Sequence, residues 1–124
     1  MKEIKILIVE NEVGYIETAF EYMNDLYYDN RLDFKIIAKS QDLPSNQNLE
    51  NYDIIFLDIS LAKSSELDGI GILRKINSDN ILIKKLVILT GNHNIQEKLK
   101  ENGLGVYPIV TKPIDFNDLL KVIG

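Results

Sequence analysis

Asp53-Ile54-Ile55-Phe56-Leu57-Asp58 is apolar through its whole body and closes on a carboxylate. Six residues are too few for a helix that stands alone, and isoleucine and phenylalanine favour the extended chain. A strand with one wet face would alternate apolar and polar residues, and this one does not. It is therefore expected to be covered on both faces, as strands of a parallel sheet are. The same signature appears in Ile4-Lys5-Ile6-Leu7-Ile8-Val9, in Phe34-Lys35-Ile36-Ile37-Ala38, in Leu86-Val87-Ile88-Leu89-Thr90 and across Val106 to Thr111.

Between these runs the continuous apolar pattern gives way to a period of about 3.6. Val13, Ile16, Ala19, Phe20, Met23, Leu26 and Tyr27 recur at three and four, which marks one face of a helix starting at Glu12 with Asn11 as its cap. Ser40 to Asn51 carries Pro44 and several amides, and predicts one short helix at most. After a polar stretch from Ile59 to Leu67, Asp68-Gly69 opens a helix with Ile70, Ile72, Leu73 and Ile76 inside, ending between Asn77 and Asn80. Asn92 to Asn102 gives a helix with Ile95 and Leu99 inward, closed by Gly103 in the left-handed region, and His93 is expected to lie exposed in its first turn. Asp115 caps the last helix, which carries Phe116, Leu119, Leu120 and Ile123. Five strand–helix repeats without a linker predict one α/β domain over 1–124, a doubly wound parallel sheet with helices on both faces.

Composition narrows the function. With 45% hydrophobic and 27% charged residues the 124-residue chain matches an ordinary globular protein, large enough for its own core. Its net charge of −5 argues against direct binding to nucleic acid or an anionic membrane. The absence of cysteine excludes thiolate metal sites and thiol nucleophiles, and a single histidine excludes a multi-histidine metal centre. No signal peptide and no apolar run of membrane-spanning length stand out, so a cytoplasmic protein is expected.

Ligands of an open parallel sheet bind beyond the carboxyl ends of its strands. The residues there are Glu10-Asn11-Glu12, Asp58, Thr90 and Thr111-Lys112-Pro113. Gathered at one edge, they supply oxygens for Mg²⁺, a carboxylate acceptor, a hydroxyl and an ammonium that suit a phosphoryl group. With Lys5 to Glu12, Ile55-Phe56-Leu57-Asp58, Asp68-Gly69, Leu89-Thr90-Gly91 and Lys112-Pro113-Ile114 in this order, the chain resembles a response regulator receiver domain. The resemblance implies a flavodoxin-like strand order 2-1-3-4-5 and phosphoryl transfer from a sensor histidine kinase or phosphotransfer protein onto Asp58. It implies Thr90 and Lys112 as partners of the phosphoryl group and a cis bond between Lys112 and Pro113. The metal would be Mg²⁺, held by Glu10, Asn11, Asp58 and the backbone carbonyl of Ser60. The output would be a downstream protein, a fused output domain or a homodimer, reached through the surface of the fourth helix, fifth strand and fifth helix. Any catalysis would be limited to the domain's own phosphoryl transfer and dephosphorylation. A phosphatase with an aspartate nucleophile would carry it after the first strand, where Glu10 stands, and a flavodoxin would need a phosphate loop there.

Three features depart from the family pattern. Glu10-Asn11 stands where two acidic residues are usual, which predicts weaker Mg²⁺ binding unless Glu12 swings in. The loop from Ile59 to Leu67 lacks proline and is longer by about three residues, so mobility is expected. Ile109 occupies the place of a common aromatic, with Tyr107 on the same face as a substitute. Two functions follow: a phosphoacceptor switch at Asp58, or a receiver-like interaction module poorly phosphorylated because of Asn11.

Overall fold

The computed structural model describes residues 2–91 and 94–124. Five parallel strands, β1 (Ile4–Val9), β2 (Leu32–Ile37), β3 (Ile54–Asp58), β4 (Leu86–Thr90) and β5 (Ile109–Thr111), form one sheet in the order β2-β1-β3-β4-β5. Five helices intervene: α1 (Val13–Tyr27), α2 (Asn46–Leu49), α3 (Gly69–Ser78), α4 (Ile95–Glu101) and α5 (Phe116–Ile123), with a short 3-10 turn at Ser40–Asp42. The expected strand order is the one observed.

The unbroken apolar strands are explained by two cores, one on each face. On one face Leu7, Val9, Ile55, Leu57 and Ile88 meet Leu73 and Leu99 of the helices. On the other, Ile6, Ile8, Phe56 and Val87 meet Phe20 of α1 and Leu119 of α5. Successive strand residues thus serve opposite cores, so no position in residues 6–9, 54–57 or 86–89 is left for a polar side chain. Phe20 closes the second core by meeting Phe56 nearly edge-on, with ring centroids 5.4 Å apart.

Local corrections to the sequence reading have physical causes. Asn11 does not cap α1: Glu12 holds the cap position and its side chain makes no capping hydrogen bond. Ile16, Phe20 and Met23 face inward, but Leu26 and Tyr27 are exposed, because the chain leaves the helix at Tyr28 and this ring turns into the core instead. Strand β2 begins two residues earlier than expected. Asn24 clamps its start, accepting from the Leu32 N–H at 2.9 Å and donating to the Leu32 carbonyl at 3.1 Å, and β1 pairs Ile4 with Leu32. Strand β5 is shorter than expected, covering only Ile109–Thr111. Pro108 accepts from the Ile88 N–H but has no N–H to return, and Val106 beyond it is exposed. The α4 stripe holds, with Ile95 and Leu99 buried and Gly103 at φ 70°; the expectations for Asn92 and His93 fall outside the described residues.

The loop after β3 is anchored, contrary to expectation. Ser40 N–H donates to Ser65 Oγ at 2.8 Å, Leu67 N–H to Ser40 Oγ at 2.8 Å, Gln41 Nε2 to the Ser64 carbonyl at 2.8 Å, and Glu66 N–H to Gln41 Oε1 at 3.0 Å. Four bonds between segments far apart in sequence give this irregular stretch the backbone partners that a helix or ladder would otherwise supply.

Candidate functional site

The carboxyl ends of β1, β3, β4 and the segment after β5 bring Glu10, Asp58, Thr90 and Lys112 together. Glu10 is 0% exposed, while Asp58 and Thr90 are each 3% exposed. Parallel register sets the placement: Asp58 pairs with Leu89, and Thr90 with Thr111, directly before Lys112. The Lys112-Pro113 bond is cis, as the resemblance implies. Lys112 Nζ lies 2.5 Å from Glu10 Oε1 and 3.1 Å from Asp58 Oδ2. The first is a charge contact without the alignment of a hydrogen bond; the second is a hydrogen bond.

The remaining carboxylate oxygens have partners too. Ser60 N–H donates to Asp58 Oδ1 at 3.0 Å, and Asn11 N–H to Glu10 Oε2 at 3.0 Å. With its nitrogen turned inward, the Asn11 side-chain amide donates to Glu10 Oε2 and Asp58 Oδ2, at 3.1 Å from each. The opposite orientation would set an amide oxygen against two carboxylate oxygens. Glu12 is exposed at the helix cap, and among the described residues no three of His, Cys, Asp and Glu come together as a metal-binding group. The substitution of Glu12 for a missing carboxylate is therefore not found.

Gly69 shows how tightly the Asp58 backbone is held. A Cβ at this position would stand 2.5 Å from Ile59 Cα and 2.6 Å from the Asp58 carbonyl oxygen, both rigid backbone atoms. The first residue of α3 rests directly on the chain that carries Asp58, and Gly69 N–H donates to the Ile59 carbonyl. Gly69→Ala is expected to destabilise the fold by about 1–3 kcal/mol through overpacking, despite alanine's better helix propensity. Urea unfolding measures this, and a variant as stable as the wild type would refute it.

The family model for the response regulator receiver domain matches residues 6–124, nearly the whole chain. The chain belongs to the response regulator receiver family. Among curated proteins it is 27% identical over 124 residues to the probable transcriptional regulator ycf29 of Pyropia yezoensis. That match covers 97% of the chain but only 51% of the relative, so the chain spans about half the length of the curated relative it matches. Among solved structures, the receiver domain of NtrX from Brucella abortus superposes with a TM-score of 0.69 at 23% identity, covering 95% of this chain and 93% of that one. The Vibrio cholerae chemotaxis protein CheY4 gives 0.70 at 16% identity, covering 98% and 96%. These likenesses bear on the fold. Receiver domains act in two-component signalling, and Mg²⁺ and phosphorylation are typical of them. Among the described residues no helix is long and apolar enough to cross a membrane.

Electrostatics in this receiver are dominated by the buried acid pair. Burial, followed by the neighbouring Asp58 carboxylate, raises the Glu10 pKa to about 7 against the opposing pull of Lys112. Burial works against the Lys112 ammonium, but its bonds to Glu10 and Asp58 outweigh this and hold its pKa above the usual lysine value. Glu10 therefore takes up its proton more readily folded than unfolded. Its contribution to stability is complete below the ordinary pKa of 4.5 and is lost as pH rises through about 7. Without metal, the folded state is expected to lose up to ~3 kcal/mol between those limits. Thermal unfolding in a chelator at several pH values measures the slope, and Glu10→Gln should flatten it. A slope unchanged in that variant would refute the assignment.

One expectation about a remote residue comes out differently, and one contact was not foreseen. Tyr107 and Ile109 do pack against the same core layer. Tyr107, however, precedes β5 and lines a cavity of about 370 Å³ with Ile81 and Leu86, at the end of the sheet away from Asp58. Tyr15, which the helical pattern did not single out, accepts a hydrogen bond from the Ile114 N–H at 3.2 Å and so reaches the chain two residues beyond Lys112. Its place off the apolar stripe was the only clue, and a weak one.

Proposed function

We propose that Asp58 is the phosphoacceptor of this receiver, taking a phosphoryl group from a phosphohistidine of a sensor histidine kinase or phosphotransfer protein. The observation that carries this reading is the placing of a nearly buried carboxylate 3.1 Å from Lys112 Nζ at the carboxyl end of the sheet. An Asp58 oxygen attacks phosphorus, the P–N bond breaks, an acyl phosphate forms, and the departing imidazole nitrogen takes a proton. Lys112 faces the charge on the phosphoryl oxygens, and the Thr90 hydroxyl at the end of β4 offers them a hydrogen bond once they are in place.

The donor set suits Mg²⁺ in kind, since Glu10 and Asp58 supply hard carboxylate oxygens and Ser60 a backbone carbonyl next to Asp58. Asn11 adds an amide oxygen after its side chain turns over. Bound there, Mg²⁺ would neutralise charge on the phosphoryl group.

An apolar cleft of about 440 Å³ lined by Tyr15, Thr18, Ala19, Ile114 and Phe116 adjoins the segment that carries Lys112. Tyr22 stacks on Phe116 at its rim, with centroids 5.1 Å apart. This cleft suits an apolar helix face of the protein that delivers the phosphoryl group, because Ile114 in its wall lies two residues beyond Lys112. The output is a change in affinity for a downstream protein, a fused output domain or a second copy.

The neutral Asn11 favours a second reading, a receiver that binds partners but takes up phosphate poorly. Incubation with a small-molecule phosphodonor and Mg²⁺, followed by intact-mass measurement, decides between them. Addition of one phosphoryl group to the wild type supports the first reading. No addition to the wild type, with a gain in Asn11→Asp, establishes the second.

A further inference from the structure

The four carboxylate oxygens of Glu10 and Asp58 are all provided for without a metal ion. Glu10 Oε1 faces Lys112, Glu10 Oε2 accepts from the Asn11 backbone, Asp58 Oδ1 accepts from Ser60, and Asp58 Oδ2 accepts from Lys112. The Asn11 side chain completes the set, because its amide nitrogen, turned inward, spans Glu10 Oε2 and Asp58 Oδ2, one oxygen of each acid. Such a gap between two acids is where a cation would otherwise be needed. An aspartate at position 11 would have no hydrogen to give and would add a third negative charge.

We propose that Asn11 is an internal stand-in for the cation: its side-chain NH₂ group bridges Glu10 and Asp58 in the resting receiver, and Mg²⁺ enters only by displacing it. The inference deepens the metal role set out under the proposed function and rests on that reading for the identity of the ion. Three consequences follow. The metal-free pocket is stable as it stands, because every acid oxygen keeps a donor or a cation. Metal binding between the two acids has to break two hydrogen bonds to free Glu10 Oε2 and Asp58 Oδ2, and the amide oxygen reached by turning the side chain carries no net charge. Asp58 is held in one position before any phosphoryl group arrives, which makes Asn11 a positioning residue for it.

The test is thermal unfolding of the full chain, wild type beside Asn11→Asp and Asn11→Ala, in chelator and across a MgCl₂ titration. In chelator both variants are expected to melt below the wild type, with Asn11→Asp the lowest because it gathers three acids around one point. On adding Mg²⁺ the order is expected to invert, with Asn11→Asp rising most. Its Mg²⁺ dissociation constant should fall by about tenfold or more, because a unit charge close to a divalent ion outweighs a neutral amide even under strong screening. Asn11→Ala carries the argument if the aspartate variant fails to fold, since it removes the bridge without adding charge. If both variants equal the wild type in chelator, or if Asn11→Asp binds Mg²⁺ no more tightly, Asn11 is not a stand-in and the proposal falls. Phosphoryl uptake by the wild type is measured separately. Its absence beside the inverted order would remove the phosphoacceptor reading and leave the bridge standing.

Discussion

Asp58→Asn is expected to stay at its unmodified mass under phosphodonor and Mg²⁺ conditions in which the wild type gains one phosphoryl group. Asparagine keeps the size of the side chain, and its carbonyl can still accept from the Ser60 N–H that now bonds Asp58 Oδ1 at 3.0 Å. What it loses is the anionic oxygen proposed to attack phosphorus, and a neutral amide does not replace it as a nucleophile. The loss should therefore be complete rather than partial. Misfolding would be a poor explanation, because the substitution removes one of two neighbouring buried acids and leaves Lys112 its contact with Glu10. The metal-free variant should melt no lower than the wild type, and the Glu10 pKa should move back toward its ordinary value once the Asp58 charge no longer opposes ionisation. Retained uptake in this variant, or uptake traced to another carboxylate, would sink the assignment.

Lys112→Ala is expected to impair both stability and chemistry, by amounts that depend on pH. It leaves Glu10 and Asp58, at 0% and 3% exposure, without the cation they share. Removing one partner of a buried charge pair costs on the order of 3 kcal/mol, because the other charge is left uncompensated. At pH 5 Glu10 escapes most of that cost by holding its proton in both proteins; at pH 8 the wild type has released that proton, and the variant, whose Glu10 pKa is raised further by the loss of Lys112, must keep it or bear an unpaired charge. The stability gap between wild type and variant should therefore be wider at pH 8, and Mg²⁺ should narrow it. Phosphoryl uptake should slow by about 10² or more, since the ammonium proposed to face the transferred charge is gone while the proposed nucleophile remains. Time courses of mass gain test the rate, and chelator melts at the two pH values test the stability. An equal gap at both values would mean that Glu10 does not titrate as described. Lys112→Met separates the charge from the packing of the lysine stem.

How much of this was legible in the sequence follows the range of each interaction. Ile54 to Asp58 and Leu86 to Thr90 declared themselves because burial on both faces writes itself into consecutive residues, and the strand order followed from the receiver resemblance. Glu10, Asp58, Thr90 and Lys112 were readable because a parallel sheet delivers the ends of its strands to one edge. The misses lie where the partner is far away in sequence or where orientation matters. Nothing in Ile59 to Leu67 announces that Ser40 and Gln41 will hold it. Val106 and Tyr107 suit a longer β5, but Pro108 has no N–H to give the ladder, and the strand starts only at Ile109. Asn11 was read as a helix cap and as a weakened oxygen ligand, whereas its hydrogens are what the two acids use. An amide letter gives no sign of which end will face inward.

The bonds joining Ser40 and Gln41 to Ser64, Ser65, Glu66 and Leu67 carry a consequence for how such a chain can change over generations. A change at Ser40 or Gln41 removes partners of the loop after β3, so substitutions in the two segments are energetically coupled. A graft that moves the long loop without Ser40 and Gln41 loses all four of these bonds.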